Sequence, residues 1–145
     1  MKVKEIMSSI IRASADSTVA QAAKIMDAKN IGSLLIEEHG KIIGIITERD
    51  ILKKIVAKEK DYKNINVREI MTSPLITIGS EKSIDEANEI MSQKKIRRLP
   101  VESNGDIIGI VTIRDVSNAL RYSLGRRIVE NSETNYYKPS YERPI

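Results

Sequence analysis

Two seven-residue stretches decide how this chain reads: Gly44-Ile45-Ile46-Thr47-Glu48-Arg49-Asp50 and, 65 residues later, Gly109-Ile110-Val111-Thr112-Ile113-Arg114-Asp115. Each runs glycine, two apolar residues, threonine, two variable residues, aspartate. Working outward, Val3-Lys4-Glu5-Ile6-Met7-Ser8 returns as Val67-Arg68-Glu69-Ile70-Met71-Thr72. Ala22, Met26 and Ile31 return as Ala87, Met91 and Ile96. The first block repeats at an offset of 64 and the others at 65, which places a one-residue length difference near residues 8 to 18. Self-similarity sustained over this length marks an internal duplication.

Both copies carry the same local signals. Thr18 with Gln21, and Ser83 with Glu86, have the spacing of a capping box ahead of an amphipathic run. Val19, Ala22, Ala23 and Met26 then share one helical face, as do Ile84, Ala87 and Met91. Two apolar stretches follow, joined at His39-Gly40 and at Asn104-Gly105, residues that accept positive φ and signal a hairpin. A second helix carries Ile51, Leu52, Ile55 and Val56, answered by Val116, Ala119 and Leu120. A short strand is expected before each first helix, at residues 10–13 and 75–78. The order is β-α-β-β-α, twice, an α/β (α+β) fold. The units are expected at 1–63 and 64–123, with a tail at 124–145 and a polar connection over 58–66. A unit of about 60 residues buries too little surface to be robust alone. Two copies are therefore expected to pack through their sheets about a pseudo-two-fold axis.

Composition removes whole classes of function. The 145 residues include no Cys, which excludes disulfides, cysteine-ligated zinc, iron–sulfur clusters and thiol catalysis. One histidine, His39, leaves no histidine-based metal site, and no nucleophile–base pair is visible, so an enzyme is not expected. No apolar run approaches the roughly 20 residues that span a membrane, and no signal-peptide pattern opens the chain, so the expectation is a soluble, cytoplasmic protein. Net charge is +4, from 24 basic and 20 acidic residues, a balance that reads as a solvated surface. There is no Phe or Trp, so the core is aliphatic. The Ile, Lys and Glu bias resembles that of heat-adapted proteins.

The repeated motif supports two readings. In the first, Thr47 with Asp50 and Thr112 with Asp115 only cap the second helices, each contact worth about 1 kcal/mol or less. In the second, a first-turn carboxylate accepts from the vicinal hydroxyls of a ribose, while helix N–H groups and the Thr hydroxyl face phosphate. Arg97 and Arg98, just ahead of Leu99-Pro100-Val101, would add bidentate phosphate donors.

Taken together, the duplicated unit, both Gly-h-h-Thr-x-x-Asp copies (h, apolar) and Arg98-Leu99-Pro100-Val101 resemble a tandem pair of CBS domains, a Bateman module, from Val3 to about Tyr122. The resemblance implies adenine-nucleotide sites in the clefts between the repeats and pairing of modules into homodimers. It implies ribose contacts from Asp115 and Asp50, supporting contacts from Thr112 and Thr47, and phosphate contacts from Arg97 and Arg98. It implies an adenine wall built from Thr77, Ile78, Pro100 and Val101. The first repeat departs from the pattern, with Gly32-Ser33 in place of the arginine pair, Leu35 in place of Pro100 and Arg12 in place of Thr77. The Asp115 site is therefore expected to be the better formed, with Arg12 compensating at Asp50, or Arg97 and Arg98 reaching it across the axis. The arginines favour AMP, ADP or ATP over S-adenosylmethionine, whose sulfonium gains nothing from them. No cofactor is required. The expectation is a stand-alone regulatory module that signals occupancy to a separate effector protein.

Two other functions compete. A basic, Tyr-containing tail, with Arg121, Arg126, Arg127, Lys138 and Arg143 beside Tyr136, Tyr137 and Tyr141, is a pattern for single-stranded nucleic acid, diluted by Glu130, Glu133 and Glu142. A ligand-free dimerisation module would use the same fold with empty clefts.

Overall fold

The computed structural model describes residues 1–132. Each repeat holds a three-stranded sheet flanked by two helices. In the first, β1 (Arg12–Ser14), α1 (Val19–Lys29), β2 (Ser33–Glu38), β3 (Lys41–Thr47) and α2 (Glu48–Ile51) follow in order. In the second, β4 (Ile78–Gly79), α3 (Ile84–Lys94), β5 (Arg98–Ser103), β6 (Asp106–Thr112) and α4 (Ile113–Ser132) repeat the order. The sheets run β1-β2-β3 and β4-β5-β6, with the first pair parallel and the hairpin antiparallel in each. The fold is mixed α+β, as the duplication implies.

Local chemistry accounts for the element ends. Gln21 N donates to Thr18 Oγ1 at 3.2 Å while Thr18 N donates to Gln21 Oε1 at 2.9 Å, and Ser83 with Glu86 closes the same box on α3. The helices stop at Asn30 and Lys95, both left-handed with φ of 52° and 54°. The hairpins turn on His39-Gly40 and Asn104-Gly105, all four residues at positive φ, the hand that suits the strand twist.

The opening strands are shorter and later than expected. They start at Arg12 and Ile78, where pairing with β2 and β5 begins, and the arms further upstream serve the opposite repeat. Ser8 exchanges backbone hydrogen bonds with Ile110, at 2.8 and 3.0 Å, and Thr72 does the same with Ile45, at 2.9 and 3.1 Å. Val3 N donates to Lys82 O at 2.8 Å and Val67 N to Ser17 O at 3.0 Å. Val3 is fully buried among Leu99, Val101 and Val111 of the second repeat. Val67 and Ile70 are buried among Leu34, Ile36 and Ile46 of the first. Each repeat thus lends its leading arm to the other's core.

The exchange explains the motif glycines. A Cβ on Gly44 would sit 2.6 Å from Met71 Sδ, and one on Gly109 would sit 2.5 Å from Met7 Sδ. Only glycine lets the arm methionine lie against the sheet at this distance. Paired charges pin the arms at the surface: Lys2 and Lys4 reach Glu81 at 2.6 and 2.5 Å, and Arg68 reaches Glu38 at 2.5 Å. Hydrogen bonds from Lys2 and then Lys4 hold the Glu81 carboxyl far below the ordinary carboxylate range, at about 2.

Two expectations about the second helices change. After Ile51 the backbone widens into a π turn over Leu52–Val56, with Ala57 N donating to Leu52 O at 2.9 Å. The i→i+5 spacing keeps Ile55 in the core but turns Leu52 and Val56 to solvent. In the second repeat the helix is continuous and passes residue 123 to reach Ser132. Tyr136, Tyr137, Lys138, Tyr141 and Arg143, with Glu133 and Glu142, lie outside the described residues. Among those described, no helix is long and apolar enough to cross a membrane.

Candidate functional site

The two Thr-x-x-Asp motifs have one geometry. At the mouth of α2, Asp50 Oδ2 accepts from Thr47 N at 2.9 Å and from Thr47 Oγ1 at 3.1 Å, while Asp50 N donates back to Thr47 Oγ1 at 3.3 Å. At α4, Asp115 Oδ2 accepts from Thr112 N and Oγ1, both at 2.8 Å, and Asp115 N donates to Thr112 Oγ1 at 3.2 Å. The capping reading is therefore correct for both. It is also incomplete, because the cap uses one carboxylate oxygen and the other remains an acceptor. Asp50 Oδ1 lies 3.1 Å from Lys54 Nζ, which also donates to Ile70 O at 2.8 Å. The residue matching Lys54 in the second repeat is Ala119.

The surroundings of the two carboxylates differ sharply. Asp50 opens into a cleft of about 450 Å³, within the range of small-molecule sites. Its floor and one wall come from the first repeat, through Ile45, Thr47, Arg49 and Lys53. The other wall comes from the second repeat, through Thr72, Ile76, Lys95, Ile96, Arg97, Arg98 and Pro100. Five basic side chains face two acidic ones, Glu48 and Asp50. Asp115 borders a smaller hollow of about 260 Å³, shared with Glu5, Ile6, Met7, Asn118 and Ala119 and holding no basic residue. The structure thus places Arg97 and Arg98 in the wall of the Asp50 cleft and not in the Asp115 hollow, the arrangement in which they reach Asp50 across the axis. The reason is the pseudo-two-fold axis, which sets the entry of β5 across from the mouth of α2.

Gly32 is what lets this crossing happen. It occupies the position that matches Arg97, and a Cβ there would overlap the Arg98 guanidinium. Arg98 Nη2 in turn lies 3.8 Å from Glu48 Oε1. On the far side of the arginine pair, Thr112, Ile113 and Arg114 meet Ala23, Met26 and Asp27 of α1 around a groove of about 650 Å³, which Gly32, Glu48, Arg97 and Arg98 also line.

The remaining candidates separate. Pro100 is buried at the Asp50 cleft, whereas Ile78 and Val101 turn to the core of the second repeat at 3% and 0% exposure and present no side chain to a ligand. Strand alternation requires this, since Val101 and Leu99 share the core face and Pro100 takes the other. Thr77 donates to Glu102 Oε2 at 3.2 Å and does not line the cleft. Arg12 pairs with Glu37 at 3.1 Å in a separate surface hollow with Asp16, His39 and Arg68 and does not line the Asp50 cleft. Sequence reasoning missed Lys53, Lys95, Ile76 and Ile96, whose shared signal is position: each flanks a motif already singled out. No group of three His, Asp or Glu that could hold a metal occurs among the described residues.

Comparison with known proteins adds a family to the geometry. A model described as CBS domain matches residues 3–57 and 67–122. The chain is similar to an uncharacterized protein of Methanopyrus kandleri, 41% identical over 109 residues, covering 74% of this chain and 56% of that protein. It is also similar to the CBS domain-containing protein YhcV of Bacillus subtilis, 30% identical over 138 residues, covering 93% of this chain and 98% of that one. It thus spans little more than half of the first relative and nearly all of the second. Among solved structures, it is similar to the CBS domain pair of protein MJ0100 in complex with 5′-methylthioadenosine and S-adenosyl-L-methionine. The TM-score is 0.76 and the identity 36%, over 85% of this chain and 98% of that one.

Proposed function

The chain belongs to the CBS-domain family, and we propose that it is a non-enzymatic regulatory module that binds an adenine nucleotide in the cleft at Asp50 and passes occupancy to a partner protein. The observation that carries this reading is the composition of that cleft: an Asp whose cap leaves its second carboxylate oxygen to Lys54 and a ligand, three isoleucines and a proline, and five basic side chains drawn from both repeats. Asp50 would accept from the ribose hydroxyls. Ile45, Ile76, Ile96 and Pro100 would cover the base, and Arg97, Arg98, Lys95 and Lys53 would face the phosphates. Thr112 and Asp115 would form a second, weaker site.

A ligand held this way touches both repeats, so it favours whichever inter-repeat angle closes the cleft. The shift in population is limited to its differential affinity for the two angles. Leu52, Val56 and Leu124 are exposed on the second helices, and pairing with a second copy of the chain would cover them.

One further reading has its own support. The MJ0100 pair, which binds S-adenosylmethionine and methylthioadenosine, favours an adenosyl ligand without phosphate. The basic cleft argues against it here, because a sulfonium gains nothing from the cations.

Calorimetric titration with ATP distinguishes the sites. Asp50→Ala should weaken binding by tenfold or more, the scale of a lost charge-assisted hydrogen-bond pair, and Asp115→Ala should weaken it less. Equal losses, or the reverse order, would overturn the assignment to Asp50.

A further inference from the structure

The Asp50 cleft contains a charge that opposes the proposed ligand. Glu48 lies on its wall, in the first turn of α2, with its side chain 74% exposed and Oε1 3.8 Å from Arg98 Nη2. Arg98 is the better buried partner, at 24% exposure, and its guanidinium rests in the space left by the absent side chain of Gly32. The arrangement occurs once. Across the pseudo-two-fold axis, Glu48 is matched by Ile113, Gly32 by Arg97 and Arg98 by Ser33, so no such pair can form there. A helix cap does not need Glu48, since Thr47 and Asp50 close the box by themselves.

We propose that Glu48 is a specificity-determining residue, a built-in competitor that holds Arg98 until a phosphate displaces it. The inference rests on the nucleotide reading of the Asp50 cleft and deepens it. A carboxylate on the cleft wall repels a polyphosphate and neutralises part of the guanidinium that would bind it. The uncharged adenosine moiety feels neither effect. Glu48 therefore sets how strongly the cleft distinguishes phosphorylated from unphosphorylated adenosine ligands. Arg98 and Glu48 also line the groove beside α1, so the exchange of partners alters the charge on that second surface as the cleft fills.

The test is calorimetric titration of the wild type, Glu48→Gln, Arg98→Ala and the double variant with ATP, adenosine and inorganic tripolyphosphate at low salt. For Glu48→Gln the ratio of ATP to adenosine affinity should rise about three- to tenfold, the scale of one partly exposed charge, and tripolyphosphate should tighten in parallel. The gain should vanish when Arg98→Ala is present and shrink at high salt. A ratio that does not change, or a gain that persists without Arg98, overturns the competitor role while ATP binding lost in Asp50→Ala would leave the nucleotide site standing. If tripolyphosphate binds and tightens but no adenosine compound binds, the competitor stands and the nucleotide reading falls. If none of the three binds any variant, both fall.

Discussion

Val3→Ala should weaken the second repeat, whose nearest core residue in the chain lies 75 positions away at Ile78. Val3 is fully buried, and the substitution removes two methyl groups from a closed aliphatic cluster. At about 0.8 kcal/mol per buried methylene, plus a term for the small cavity left behind, the loss is about 2 kcal/mol. With a urea dependence of about 2 kcal/mol per molar, the unfolding midpoint should fall by about 1 M. A leading segment that merely lay on the surface would change stability by no more than about 0.5 kcal/mol. Double-variant cycles place the effect. Val3→Ala should couple to Val111→Ala by at least about 0.5 kcal/mol, and should add independently to Ile46→Val in the first repeat. Val67→Ala should show the mirror pattern, coupling to Ile46 and not to Val111. A negligible loss for Val3→Ala, or coupling to Ile46 instead, would refute the exchange of arms.

The other expectations are briefer. Replacing Arg97 and Arg98 together by Ala should cost ATP more than adenosine in a titration, and an unaltered ratio would remove both from phosphate binding. Gly44→Ala should displace Met71 and lower the unfolding midpoint, since the methionine arm meets the sheet where the new Cβ would stand; a wild-type midpoint would show that the arm shifts freely. Acid should loosen the first arm through Glu81. Its folded carboxyl titrates at about 2, below its unfolded range, so the stabilisation is complete above about pH 4.5 and is lost as pH falls toward 2. The difference in urea midpoint between wild type and Glu81→Gln should therefore shrink over that window, and a pH-independent difference would contradict the assignment.

Much of this architecture was legible in the sequence because the duplication states each signal twice. The capping boxes at Thr18, Thr47, Ser83 and Thr112 close as their spacing implies, and both hairpins turn at the residues that tolerate positive φ. The arm exchange was not legible. Val3 and Val67 look identical whether each packs on its own repeat or on the other, since a repeated sequence cannot say which copy a segment joins. The same ambiguity touches the arginines. Arg97 and Arg98 belong to the same repeat as Asp115, and the sequence leaves open which carboxylate they serve; their side chains line the Asp50 cleft, beside the open position at Gly32. The resemblance implies Ile78 and Val101 in an adenine wall, but strand alternation with Pro100 turns Val101 to the core, and Ile78 is buried there too. The π turn at Leu52–Val56 left no periodic trace, because its apolar residues fit a regular helix equally well.

The central claim is that this cleft reads an adenine nucleotide. Its most direct test is calorimetric titration of the intact chain with AMP, ADP, ATP and S-adenosylmethionine in one buffer and salt. The account predicts saturable binding of a phosphorylated ligand, tightest at one site per chain, with affinity rising with phosphate count and S-adenosylmethionine the weakest. No heat from any nucleotide at millimolar concentration, or S-adenosylmethionine binding tightest, would contradict it.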